Sequence, residues 1–203
     1  MPMTTAKLAE MVIENRSCRR FYQDHAVELE TLKELVNLGR ISASGANLQP
    51  LKYVLSCNRS KNAEIFSCLT WAGYLKDWPG PAEGEQPAAY ILVLGDKRIS
   101  ENAGCDHGIA AQSILLGARQ IGLGGCMLGG INRKALRDIL AIPSHCQILL
   151  VLAIGKPKEQ VVLESVDAGG SIRYWRDAED VHHVPKRRLE DIIIAEHGAS
   201  PGA

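Results

Sequence analysis

The sequence lacks the features that mark membrane, secreted and nucleic-acid-binding proteins. It contains no apolar run long enough to span a membrane, and residues 1–10 lack the apolar segment of a signal peptide. Lys and Arg together number 23, as do Asp and Glu, so the net charge is zero and no broad basic surface is indicated. We therefore expect a cytoplasmic protein that binds neither membranes nor nucleic acid.

Common catalytic and metal motifs are also missing. The six cysteines form no C-x-x-C pair, which indicates reduced thiols and disfavours a zinc site. Gly155-Lys156 lacks the other residues of a Walker loop, and no G-x-S-x-G motif is present. His182-His183 has no further ligands at recognisable spacing. We predict no metal site and no catalytic side chain, with a thiol hydrolase using Cys105 or Cys146 as a minor alternative.

The hydrophobic pattern predicts one globular domain in which helices and strands alternate. Helices are predicted at residues 30–41, 62–75, 104–121 and 132–140, and strands at 52–57, 88–94, 126–128 and 148–154. Residues 77–87 contain three prolines and two glycines, which predicts an irregular surface loop. The interleaved elements indicate an α/β or α+β class, with one sheet covered by helices.

Three polar or glycine-rich stretches interrupt this pattern. Residues 42–50, the polar loop, combine small residues with Asn47 and Gln49, whose amides can both donate and accept hydrogen bonds. Residues 15–20, the basic segment, hold three arginines that suit a phosphate or carboxylate. Residues 122–130 are rich in glycine but do not fit a dinucleotide fingerprint. Taken alone, the polar loop is better explained as a connecting loop and the basic segment as a solvated surface turn.

A second basic cluster at residues 186–188 precedes the apolar Ile192–Ile194, which predicts a tail that docks on another surface. Together the basic clusters, the polar loop and the glycines suit an anionic cofactor with a flat polar ring. Arginines would bind its phosphate, side-chain amides would meet the ring edges, and exposed glycine backbone would approach the ring closely. Flavin mononucleotide (FMN) fits this description.

The order of these motifs resembles that of the nitroreductase family of FMN-dependent oxidoreductases over nearly the whole chain. The matching patterns are R-S-x-R-x-F at residues 16–21, P-S-x-x-N-x-Q-P-W at 43–51, G-L-G-x-x-x-x-G-G at 122–130, a strand end at 154–157, and K-x-R at 186–188. The second pattern is imperfect, because Ala43 replaces its proline and Leu51 its tryptophan. Asn15 stands where many members have another arginine, and Gly129 where some have a glutamate.

The resemblance implies an α+β sandwich with a central, mostly antiparallel sheet flanked by helices, formed by a single FMN-binding domain over residues 1–203. It further implies a homodimer, associated through long helices and a swapped tail, with FMN at the interface. The residues implied to bind the phosphate and ribityl chain are Arg16, Ser17, Arg19, Lys186 and Arg188. Those implied to reach the cofactor of the other chain are Ser44, Gly45, Asn47 and Gln49. The backbone of Gly129 and Gly130 is implied to face the isoalloxazine ring, and Lys76 is a further candidate near its pyrimidine edge.

The implied activity is electron transfer from NADH or NADPH, through FMN, to a nitroaromatic, quinone or similar small electrophile. This chemistry requires no side-chain acid or base, in keeping with the missing catalytic motifs. The alternative on the same fold is a flavin-binding protein, or a member with specialised flavin chemistry, that has no nitroreductase activity.

Overall fold

The computed structural model describes residues 6–198, which divide into two compact units, one ending at Glu159 and the other beginning at Gln160. The helices of the first unit are α1 (Ala6–Glu14), α2 (Leu29–Ile41), α3 (Arg59–Phe66), α4 (Asp106–Gln120) and α5 (Arg133–Ile139). Its strands are β1 (Phe21–Tyr22), β2 (Leu51–Ser56), β3 (Ala89–Asp96), β4 (Gly124–Leu128) and β5 (Cys146–Pro157). None of the helices within residues 6–198 has the length and apolarity needed to span a membrane.

The sheet of the first unit is antiparallel and is organised around the long strand β5. On one side β5 pairs with β3, which pairs in turn with the edge strand β2. On the other side β5 pairs with β4 and, near its end, with β1. Every residue of β3 is buried, as its continuous apolar run predicts. These features confirm the predicted α+β class with a mostly antiparallel sheet flanked by helices.

The core lies between this sheet and the packed helices α2 and α4. Leu32 of α2, Ile114 of α4 and Ile91 of β3 are fully buried members of it. Each such side chain contributes roughly 1.5–3 kcal/mol on burial. A Cβ on Gly117 would lie 2.2 Å from the Leu38 side chain, so a glycine at this position lets the two helices approach closely. The core thereby fixes the ends of α2 and α4, between which the polar loop is held.

The predicted helix over residues 62–75 is wrong in its second half. The structure begins this helix after Asn58, whose side chain accepts a hydrogen bond from the Lys61 N–H at 2.9 Å, and ends it at Phe66. The chain then pairs with the segment after β4, where the Thr70 N–H donates to the Gly130 carbonyl at 2.8 Å. This long-range pairing takes up backbone groups that a helix would need. Residues 77–87 are irregular, as predicted.

The second unit contains β6 (Val161–Val166), β7 (Trp175–Arg176) and β8 (His182–Arg187). Strand β8 is central, pairing in parallel with β6 and antiparallel with β7. His183 joins the three strands, because its ring nitrogens lie 2.6 Å from Glu164 and 2.9 Å from Asp177 while Trp175 stacks on the ring. The single domain over residues 1–203 stays a prediction.

Candidate functional site

The basic segment lies along the outer edge of β4, on the side away from β5. Ser17 forms a parallel bridge with Gly125, and the Cys18 N–H donates to the Gly125 carbonyl at 2.9 Å. A Cβ on Gly125 would lie 2.4 Å from the Ala153 carbonyl oxygen, so only glycine fits this close to β5. The bridge and the hydrogen bond place the backbone of the basic segment at the sheet edge.

Two of the three arginines in the basic segment present cationic groups at this edge. Arg16 donates from Nη2 to the Val12 carbonyl at 2.5 Å, but its buried Nε has no hydrogen-bond partner within residues 6–198. Burial lowers the pKa of Arg16 from its usual value, although a guanidinium remains charged at neutral pH. Arg19 is buried, and its Nη1 lies 3.2 Å from the Ser17 carbonyl. The buried Arg16 Nε, without a partner among the described residues, favours binding of an anion at this edge.

A carboxylate also lies at this edge. The Arg19 backbone N–H donates to Glu159, the residue that follows Lys158 after the end of β5. The nearby thiol of Cys18 is buried, and this burial, together with the Glu159 charge, raises its pKa to about 12. Burial also raises the pKa of Cys126. Both thiols are therefore protonated at neutral pH and take no part as nucleophiles.

The third arginine, Arg20, belongs to a separate ion-pair network. Its Nε and Nη2 donate to the two carboxylate oxygens of Glu85 at 2.6 and 2.8 Å, and Lys158 lies 2.9 Å from the same carboxylate. The Arg20 hydrogen bonds are the main cause that lowers the pKa of Glu85 to about 2. Arg20 therefore anchors the irregular segment that contains Glu85. The sequence analysis did not anticipate this pair, whose members lie 65 residues apart.

Gly129 and Gly130, called the glycine turn below, follow directly after β4 without regular secondary structure. A Cβ on Gly130 would lie 3.0 Å from the Thr70 Cβ, so this glycine is needed for close packing. A Cβ on Gly129 would meet no atom within 4 Å, and the residue is exposed. The turn thus leaves accessible backbone beside open space. The basic segment and the glycine turn lie towards opposite ends of the same outer edge of β4.

The polar loop is held by Asp106, the first residue of α4. Its buried carboxylate accepts hydrogen bonds from the Ser44 hydroxyl at 2.6 Å and from the Gly45 N–H at 2.9 Å. The Ser44 hydroxyl oxygen in turn accepts from the Gln49 N–H at 2.9 Å. Asp106 is a residue that the sequence analysis missed as a determinant of this loop. Its only visible signal was its position at the start of the predicted helix.

Three residues of the polar loop other than glycine adopt left-handed backbone conformations. The φ angles are 48° at Ala46, 55° at Asn47 and 52° at Gln49. Such angles cost of order 1–3 kcal/mol each and persist where the surrounding structure imposes them. These side chains are nevertheless exposed, beside a cavity of about 210 Å³ that Ser44 and Asp106 help to line. The loop is therefore fixed at its base and presents its amides outward.

The polar loop and the basic segment are far apart within one chain. Leu51, which follows the loop, stands opposite Gly95, and Gly95 stands opposite Gln147 of β5. Gly125 stands opposite Ile154, seven residues further along β5 (154 − 147). With about 3.3 Å per residue and about 4.8 Å between strands, Leu51 and Gly125 are roughly 25–30 Å apart. The structure does not bring the two predicted groups of cofactor ligands together in one chain.

The remaining predicted ligands, Lys186 and Arg188, belong to the second unit. Both are exposed, and Arg188 forms an ion pair with Asp167 of the same unit. Lys76 is exposed in the irregular segment after α3.

The cysteines of the thiol-hydrolase alternative are not arranged for catalysis. Cys146 is buried, and its Sγ, a ring nitrogen of His145 and a carboxylate oxygen of Asp96 all lie within 4.8 Å of one another. Arg98 already donates to both Asp96 oxygens, at 3.0 and 2.8 Å. Cys105 is exposed and precedes α4. The buried thiol and the paired carboxylate make this cluster a structural feature of the strand ends.

Comparison with known proteins identifies the family. A model described as the Nitroreductase family matches residues 13–156. The chain is 36% identical over 167 residues to an NADPH-flavin oxidoreductase of Vibrio harveyi, covering 74% of this chain and 65% of the relative. It is 26% identical over 159 residues to a protein of Archaeoglobus fulgidus provisionally named NADH dehydrogenase/NAD(P)H nitroreductase, covering 74% and 86%.

The fold gives the same result. The structure of an FMN-dependent nitroreductase from Clostridium difficile superposes with a TM-score of 0.60 at 24% identity, covering 74% of this chain and 87% of that chain. At this identity the likeness shows a shared fold. Together with the family match, it confirms the family predicted from the motifs: the chain belongs to the nitroreductase family of oxidoreductases.

Proposed function

We propose that the protein is a homodimeric FMN-dependent oxidoreductase that transfers electrons from NADH or NADPH to a small electrophilic acceptor, such as a nitroaromatic or a quinone. The proposal rests on the outer edge of β4. Towards one end of this edge lies the buried Arg16 Nε, which has no hydrogen-bond partner among residues 6–198. At the other end lies the glycine turn, with open space at Gly129. The names of the Vibrio harveyi and Clostridium difficile proteins, which mention flavin or FMN, support the same cofactor.

The residues at this edge fit FMN in chemical type. Arg16, Arg19 and the Ser17 hydroxyl supply donors for a phosphate and for ribityl oxygens. The glycine turn offers backbone N–H groups to a flat ring, because Gly129 has no side chain to keep that ring away. Bound FMN would supply the redox chemistry by accepting a hydride from a nicotinamide and passing electrons to the acceptor. The protein would bind and orient the partners and stabilise negative charge, without a side-chain acid or base.

The proposed dimer follows from the separation within one chain. The roughly 25–30 Å between Leu51 and Gly125 is longer than a mononucleotide, so Asn47 and Arg16 of one chain would serve different FMN molecules. A second copy that brings its polar loop to the basic segment of the first would complete each site. Lys186 and Arg188 are proposed as further phosphate ligands.

Exposed apolar side chains on the helices support this association. Leu8 and Ile13 of α1 are 58% and 55% exposed, Ile109 of α4 is 40% exposed, and Ile121 after α4 is 55% exposed. Such side chains on a folded chain are typical of an interface between subunits. A second subunit that covers these side chains would bury the exposed face of α4.

An absorption spectrum of the purified protein tests the proposal. We expect a yellow protein with about one FMN per chain, whose flavin absorbance bleaches when NADH or NADPH is added anaerobically and returns on addition of a quinone. A colourless protein that takes up no FMN would contradict the proposal. A yellow protein that oxidises neither nicotinamide with any acceptor would instead support the alternative of a flavin-binding member without this activity.

A further inference from the structure

Residues 70–86, the strap, connect α3 to the segment before β3 without regular secondary structure. The strap starts at the glycine turn, where the Thr70 N–H donates to the Gly130 carbonyl at 2.8 Å. It ends beside the basic segment, where the Phe21 N–H donates to the Glu85 carbonyl at 3.0 Å. Its two ends therefore meet the two ends of the edge that carries the proposed FMN site.

The far end of the strap is fastened strongly. Glu85 accepts two hydrogen bonds from Arg20 and lies 2.9 Å from Lys158, and the Arg20 and Glu85 side chains are mostly buried. The Gln23 side-chain oxygen accepts from the N–H groups of Gly84 and Gln86 at 2.7 and 3.1 Å. Bidentate arginine–carboxylate pairs with this geometry are among the stronger ion pairs in proteins. Loosening this end would free the strap from the sheet edge.

The near end of the strap is held in place by packed side chains. Trp71 is buried, and its ring lies against Gly80, where a Cβ would be 2.8 Å from the Trp71 Cδ1. Gly80 has a φ of 120°, which an L-residue with a side chain rarely adopts. Between these packed residues, Tyr74 is 46% exposed and Lys76 is exposed. The strap thus holds one aromatic and one cationic side chain at the surface, within six residues of Thr70, which bonds to Gly130.

We infer that the strap is the wall that selects acceptors by size, and that the Arg20–Glu85 ion pair is the positioning element that sets this wall. The inference rests on the proposed function, because it places the reacting ring at the glycine turn. It adds that Tyr74 limits the space beside that ring, so that large acceptors are disfavoured relative to small ones. Glu85 acts only through the strap and touches no reacting atom.

The test compares Glu85→Gln with Glu83→Gln. Glu85→Gln keeps the size of the side chain but removes the negative charge that pairs with Arg20. Glu83 is the control position, because it pairs at 3.2 Å with the exposed Arg59 near the same end of the strap. In Glu85→Gln we expect faster hydrogen exchange over residues 71–83, an FMN Kd within twofold of wild type, and an unchanged rate of flavin reduction by the nicotinamide. The ratio of kcat/KM for the two-ring menadione to that for benzoquinone should rise by about tenfold through KM. Glu83→Gln should leave all four quantities unchanged.

Tyr74→Ala provides a second variant, which alters an exposed side chain and should fold even if Glu85→Gln does not. It should raise the same kcat/KM ratio without changing hydrogen exchange at Glu85. The inference would be overturned if the menadione to benzoquinone kcat/KM ratio stayed unchanged in Tyr74→Ala, or in a folded Glu85→Gln whose strap exchanges faster. If these variants still bind FMN and turn over, that result would not contradict the proposed function. A wild-type protein that binds no FMN would instead overturn the proposed function.

Discussion

The basic segment and the polar loop are the two polar features of the first unit, and they are built in opposite ways. Arg19 of the basic segment is buried, and the segment lies on the sheet edge. The polar loop is mostly exposed, carries three left-handed residues and is fixed at its base, where Asp106 accepts from Ser44 and Gly45 and Ser42 donates to Ser113 at 2.8 Å. The first arrangement suits holding a ligand within its own chain. The second suits presenting amides to a surface outside its own chain.

This difference gives the two features different expected energetics. Removing a buried guanidinium that binds an anion loses a charge-assisted hydrogen bond of about 1.5–3 kcal/mol, whereas removing an exposed amide loses about 1 kcal/mol. Loss of the arginines should therefore weaken FMN binding more than loss of the amides.

The double variant Arg16→Ala/Arg19→Ala should weaken FMN binding most. Loss of two charge-assisted bonds corresponds to an increase in Kd of about 10²–10⁴-fold. Fluorescence titration of the apoprotein with FMN measures this change. The control Arg59→Ala/Lys61→Ala removes two cations from the exposed start of α3 and should change Kd by less than about twofold. Equal effects of the two double variants would mean that only overall charge matters.

Asp106→Ala should affect both stability and binding. It leaves the Gly45 N–H and the Ser44 hydroxyl without their buried partner, which should lower the free energy of unfolding by about 1–3 kcal/mol. The released loop should raise the Kd for FMN by about tenfold. Asp106→Asn keeps an oxygen for the Gly45 N–H and should recover part of both losses. Denaturant unfolding and FMN titration measure them, and wild-type FMN affinity in a folded Asp106→Ala would separate the loop from the site.

Asn47→Ala should raise the Kd for FMN by about fivefold, because an exposed amide is lost. It should lower the free energy of unfolding by no more than about 1 kcal/mol, because alanine tolerates the left-handed φ of 55° less well than asparagine does. Asn37→Ala, on the exposed face of α2, is the matched control and should not change FMN affinity. If Asn47→Ala binds FMN as tightly as wild type, the polar loop is a connecting loop only.

The smallest effect tests whether the second unit belongs with the basic segment. The hydrogen bond that the His183 ring donates to Asp177, followed by the one to Glu164, raises the pKa of His183. The folded chain therefore favours the charged form of His183, and this preference stabilises the fold. The stabilisation is complete below the unfolded pKa of about 6.5 and is lost as the pH rises through the folded pKa. Hydrogen-exchange protection in β8, corrected for the intrinsic rise of amide exchange with pH, should therefore fall towards alkaline pH. FMN affinity should fall by no more than a few fold if Lys186 contributes.

His183→Gln should remove this pH dependence, while His197→Gln, an exposed histidine of the same unit, should retain it. A pH dependence that persists in His183→Gln would assign it to another group.

The sequence predicted the elements that depend on local pattern. Continuous apolar runs predicted β3 and the buried part of β5. The helix predicted at 132–140 matches α5, which Asn132 caps by accepting from the Ala135 N–H. The motif order predicted the family. The site residues named from those motifs stay predictions.

The features that the sequence did not predict depend on contacts between distant positions. The helix predicted to reach residue 75 ends at Phe66 because Thr70 pairs with Gly130, 60 residues away by their numbers (130 − 70). Asp106 binds Ser44, 62 residues before it, and no spacing rule connects them. The roughly 25–30 Å between the polar loop and the basic segment became visible only from the strand register.

Mixed dimers test most directly the claim that each site takes its basic segment from one chain and its polar loop from the other. An Asn47→Ala chain and an Arg16→Ala/Arg19→Ala chain, carrying different affinity tags, are refolded together and the dimers bearing both tags are titrated with FMN. The account predicts one FMN site per mixed dimer with wild-type Kd, because one site combines intact arginines with an intact loop. If the tightest site of the mixed dimer has only the weaker Kd of the Asn47→Ala homodimer, each site is formed within one chain and the claim is wrong. A protein that stays monomeric would also contradict the claim.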